Sequence, residues 1–115
     1  MSAAFPSGVD PAAIVLDTIR HPVVMVAPDG RVVFANAEAE DFFRSSASFL
    51  ARGGLERFVP FGSPLLALIE QVRERRAPFN EYRVEISSPL LGGERLVDLY
   101  VAPVAELPGH VVVLF

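Results

Sequence analysis

The sequence contains no cysteine. That removes disulfides, thiolate nucleophiles, iron–sulfur clusters and Cys-based zinc sites in one step, and gives no sign of an oxidising compartment. Lysine is also missing, so all ten basic residues are arginine. They are scattered, except for Arg73, Arg75 and Arg76, interrupted by Glu74, at the end of an expected helix where cations complement the dipole. With a net charge of −4, the chain is not expected to bind nucleic acid. The two histidines, His21 and His110, stand far apart in no ligand spacing, so a metal site is not expected. No apolar run approaches the roughly 20 residues that span a bilayer. The start, MSAAFPSGVD, has neither the basic nor the apolar region of a signal peptide. The chain therefore reads as cytoplasmic, with no membrane partner.

What is present is apolar. Half of the 115 residues are hydrophobic and nine are Phe, enough for one domain with a packed core. Residues 1–9 read as a flexible leader and 10–115 as the domain. Asp10-Pro11 is a helix start, a cap followed by Pro at the first helical position. Ala12, Val15, Leu16 and Ile19 then form one stripe, and His21-Pro22 ends a helix placed at 10–20. Ile14 lies off the stripe, to staple onto Val9 or to face another chain.

Val23 to Ala27 and Arg31 to Ala35 are strands joined by Pro28-Asp29-Gly30, which has turn chemistry. Asn36 caps a short helix to about Phe43, and Ser45 to Pro60 reads as irregular, with room for a helical turn. Ser63-Pro64 opens a helix to about Arg76, with Leu65, Leu68, Ile69 and Val72 on one face. Asn80 to Ser88 alternates, Tyr82, Val84 and Ile86 on one side, Glu81, Arg83 and Glu85 on the other. Glu94 to Pro103 returns after a turn at Pro89 to Gly93, and His110 to Phe115 closes the meander.

This order implies an α+β domain, a five-stranded antiparallel sheet with helices on one face and an N-terminal flanking helix. Val23 to Val26 and Val111 to Leu114 are apolar on both sides, whereas a sheet with one wet face alternates. The second face is therefore expected to be covered, by the N-terminal helix, by a second copy in a homodimer, or by both.

No catalytic set assembles. There is no G-x-S-x-G elbow, P-loop or G-x-G-x-x-G. Glu38, Glu40 and Asp41 fall in the first turns of a helix, where negative charge is favoured on a solvated face. Asp98 interrupts an apolar strand, and alternation places it on a wet face. A small α+β enzyme would instead need it buried with a raised pKa. The helix at 63–76 offers no His for haem and no Cys for a photochemical flavin, so no cofactor is expected.

The hairpin ending in Asn36-Ala-Glu-Ala, followed by a short helix, resembles the start of a PAS domain, and the order of elements resembles the whole PAS fold. The runs HPVVMVAPDGRVVFANAEAEDFF, PFGSPLLALIEQV, NEYRVEISSP, GGERLVDLYVAP and ELPGHVVVLF resemble the N-terminal region of the NtrB family, the nitrogen-regulation sensor histidine kinases of α-proteobacteria. The resemblance implies a sensory and dimerisation domain. In that family a phosphoacceptor His box, H-E-x-x-N-P, and an ATP-binding domain follow. The response regulator NtrC is phosphorylated, and a P-II protein controls the kinase and phosphatase activities. Neither box is present here, since His21 is followed by Pro-Val and His110 by Val-Val, so this chain reads as an excised, non-catalytic sensor domain. On this reading Asp29, Gly30 and Asn36 are fold signatures, Met25, Phe34, Ile69 and Tyr100 line any ligand pocket, and Ile14, Val15 and Ile19 contribute to the dimer contact.

Overall fold

Nine elements follow one another in a computed structural model that describes residue 8, residues 10–57, residue 59, residues 63–88 and residues 93–115. Helix α1 spans Pro11–Thr18, β1 Val23–Val26, β2 Val32–Ala35, α2 Ala37–Phe43 and α3 Ala47–Ala51. Helix α4 spans Pro64–Arg75, β3 Phe79–Ser88, β4 Gly93–Pro103 and β5 Val111–Leu114. The strands form one antiparallel sheet in the order β2-β1-β5-β4-β3. The fold class expected from the sequence is the one found.

Local chemistry accounts for most boundaries. The Asp10 carboxylate accepts from the Ala12 amide at 3.0 Å, with Pro11 at the first helical position. Ser63 caps α4 in the same way, again followed by Pro. Arg44 and Arg76 close α2 and α4 in the left-handed conformation, at φ 52° and 54°. Between β1 and β2, Asp29 accepts from the Arg31 amide at 3.0 Å and Gly30 takes φ +90°, so the expected turn is real.

One face of the sheet carries the core. Val24, Val113 and Val101 stand opposite one another across β1, β5 and β4, and Leu65, Leu68, Ile69 and Val72 of α4 pack on this side, all buried. The other face carries Phe34, Met25, Val112 and Ala102 in one row and Val23, Leu114 and Tyr100 in the next. Both faces are apolar because the central strands are apolar on both sides. Ala12 and Leu16 of α1 border the second face at a shallow cavity of about 240 Å³, shared with Val23, Met25, Phe34 and Val112.

Four expectations need correction. Helix α1 stops at Thr18, not at residue 20, because the Leu16 carbonyl is taken by the Ile19 amide and by a side chain from elsewhere in the fold. Val15 is not on the inward stripe: it is 59% exposed, and Ile14 43%. The region read as irregular with room for one helical turn holds two, α3 and a 3₁₀ turn at Leu55–Arg57. Its helix starts where Ser46 and the Glu40 carboxylate accept the amides of Phe49 and Ala47. Finally, Tyr82 does not share the side of Val84 and Ile86. A bulge between Glu81 and Val84, with Arg83 at φ 55°, leaves Tyr82 68% exposed, since one extra residue shifts the alternation. The leader apart from Gly8, Val9 as a staple, and the turn residues 89–92 lie outside the described residues.

Candidate functional site

The strand-to-helix joint at Asn36 is built far beyond a cap. Asn36 is fully buried. Its Oδ1 accepts from the Ala39 amide and the Val23 amide, both at 2.9 Å. Its Nδ2 donates to the carbonyls of Leu16 at 2.9 Å and His21 at 3.0 Å. A side-chain amide has two donors and two acceptor lone pairs, and all four positions are used. One side chain thus ties the end of α1, the start of β1 and the first turn of α2. The tie is doubled by Asp17 of α1, whose carboxylate accepts from the Ala37 amide at 3.1 Å. So α1 supplies half of the N-terminal cap of α2.

The end of β5 enters the same junction. The Phe115 amide donates to the Pro22 carbonyl at 3.0 Å, one residue from the His21 carbonyl held by Asn36. The Phe115 ring stacks on Phe42 with centroids 5.2 Å apart and 30° between planes, and meets Phe43 edge-on at 5.3 Å. Arg95 of β4 places its guanidinium 5.1 Å from the Phe42 centroid. Aromatic pairs and a cation over a ring each contribute of order 1 kcal/mol beyond burial. The segment entering the sheet and the segment leaving it are therefore fixed to α2 at one place.

Other residues singled out in the sequence fall as follows. Met25 and Phe34 share the cavity beside α1, Ile69 lies in the core under α4, and Tyr100 stands opposite Leu114 on the outer face. The structure does not bring these four together, because strand alternation and the helix position put them on opposite sides of the sheet. Ile14 and Val15 are exposed together on α1, with Ile19 half-buried at its end. Asp98 is exposed, and its carboxylate accepts from the Arg83 amide at 3.0 Å. It pins the β3 bulge, and a buried carboxylate for an enzyme is not what the structure has there. Among the described residues no group of three His, Asp or Glu stands close enough to hold a metal ion. No described helix is long and apolar enough to cross a membrane.

Sequence reasoning missed Asp17, Phe42, Arg95 and the reach of Asn36. The Phe42-Phe43 doublet beside a terminal Phe115 was a readable hint of an aromatic cluster. The partners of Asn36 were not, since two are main-chain carbonyls 15 and 20 residues away.

A family model of the PAS fold matches residues 13–115. The chain belongs to the PAS family. As a PAS domain it is 60% identical over 106 residues to the sensory histidine kinase/phosphatase NtrB of Rhizobium meliloti (strain 1021), a match covering 92% of this chain and 28% of the relative. It is 32% identical over 103 residues to NtrB of Azospirillum brasilense, covering 90% of this chain and 25% of the relative. In structure it is similar to the PAS domain of nitrogen regulation protein NR(II) from Vibrio parahaemolyticus, with a TM-score of 0.78 at 16% identity and 92% and 96% of the two chains covered. The chain thus spans about a quarter of the length of the curated relatives it matches.

Proposed function

We propose that this PAS domain is the sensory and dimerisation module of an NtrB-like histidine kinase, acting in the cytoplasm. It carries no phosphoacceptor box itself. It passes packing changes from α1 and the sheet, through Asn36 and Phe115, to whatever chain follows. In the full kinase the phosphorylated partner would be NtrC and the controlling partner a P-II protein. The observation that carries the reading is the junction: Asn36, Pro22 and Phe115 join the N-terminal helix, the first strand and the end of the last strand at one point. The 60% identity to an NtrB kinase over nearly the whole domain supports the assignment to that kind of kinase.

The dimer would form through α1 and the outer face of the sheet, where Ile14 and Val15 are exposed on the helix and Leu96 and Tyr100 on β4. Exposed apolar surface of this extent is characteristic of an interaction site. The test of the signalling role is a kinase lacking residues 10–115, compared with the intact protein for autophosphorylation and for its response to nitrogen status. Retained basal activity with the response lost is expected; an unchanged response would overturn the reading.

A further inference from the structure

The opposite ends of β1 and β5 carry a second concavity. The last turn of α4 and the turn between β4 and β5 bound a cleft of about 530 Å³, lined among others by Arg73, Arg76, His110, Pro103, Val104 and Pro108. Among the described residues no carboxylate lines it. Glu70 is paired with Arg73, while Glu74 and Glu106 are exposed and off its wall. In a chain of net charge −4, a wall that carries two arginines and a histidine stands out.

The three groups are not equivalent. Arg73 is locked: Nε donates to the Gly109 carbonyl at 2.9 Å, one terminal nitrogen to the Ala27 carbonyl at 2.6 Å, and the other to Glu70. That uses three of its five N–H groups. The Arg76 guanidinium makes no hydrogen bond or ion pair among the described residues. His110 has Nδ1 3.4 Å from the Pro108 carbonyl. The same wall carries the apolar side chains of Pro103, Val104 and Pro108. A guanidinium set among short apolar groups suits a ligand with an anionic head and a small hydrocarbon body.

We propose that this cleft binds a small aliphatic carboxylate, its anionic end held by Arg76 and its body against Val104 and the two prolines. The site is distinct from the space between the helices and the inner face of the sheet, and it does not depend on the kinase assignment. Through Arg73 and Gly109 it touches the β1–β2 turn as well as the β4–β5 turn, so an occupant would bear on three elements at once.

The test is a titration of the protein with butyrate, followed by amide chemical shifts at constant ionic strength, with methyl butyrate as the uncharged control. Saturable shifts at residues 73–76 and 103–110 with butyrate, and none with the ester, are expected. Arg76→Gly removes the guanidinium while suiting the left-handed C-cap, so it should fold normally. It should weaken binding by about tenfold. Absence of saturation, binding unaffected by this variant, or equal binding of the ester would overturn the proposal.

Discussion

Asn36 separates two roles that a sequence cannot distinguish. As a helix cap, Asp would serve as well as Asn. In this fold the Nδ2 donates two hydrogen bonds to Leu16 and His21, and a carboxylate would face those carbonyls with no proton to give. Asn36→Asp is therefore expected to destabilise the domain by about 2–4 kcal/mol, seen as a lower urea midpoint. A neutral result would reduce Asn36 to its cap. Arg83 makes the opposite case. A side chain held at φ 55° costs about 1 kcal/mol relative to glycine there, and the hydrogen bond that the residue 83 N–H donates to Asp98 survives any substitution that keeps the N–H. Arg83→Gly should raise stability by about 0.5–1 kcal/mol in the same measurement.

At the scale of elements, α4 shows what spacing reveals and what it hides. Leu65, Leu68, Ile69 and Val72 recur at helical spacing, and all four are buried as expected. Arg73 looks like one of three cations that complement the helix end. Instead it bridges α4 to the carbonyls of Ala27 and Gly109 on two separate turns. Gly109 sits at φ +81°, and a Cβ there would come 2.7 Å from Pro28. The two turns are thus pressed together, with Arg73 across them. Arg73→Ala leaves both carbonyls without this donor and should cost about 2–3 kcal/mol in thermal or urea unfolding. Glu70 is 62% exposed, so Glu70→Ala should change stability by no more than about 0.5 kcal/mol. Comparable losses from the two variants would mean that the ion pair, not the bridge to the turns, is what Arg73 contributes.

For the whole molecule, the informative surface is the outer face of the sheet. Phe34, Met25 and Val112 form its first row and Leu114 and Tyr100 its second, with α1 bordering one part of it. If that face and α1 make a homodimer, Ile14→Glu should weaken self-association measured by light scattering, without lowering the unfolding midpoint of the monomer. Ile14 is 43% exposed, so a charge there costs little within one chain. Unchanged association would remove Ile14 from the contact, and a wild-type monomer at tens of micromolar would remove the dimer.

By itself the sequence determined the element order, the turn at Asp29-Gly30, the caps at Asp10, Asn36 and Ser63 and the buried face of α4, and it supported the likeness to a PAS sensor. Each of these depends on residues within about four positions of one another, where propensity, capping and periodicity act. The tertiary structure alone decided that Asn36 holds α1 and β1 as well as α2, that Arg73 joins two turns, and that the bulge at Arg83 turns Tyr82 outward. It also set Met25 and Phe34 on one side of the sheet and Ile69 on the other. Those outcomes depend on which carbonyls and which faces meet after the chain closes, over separations of tens of residues, and no local preference encodes them.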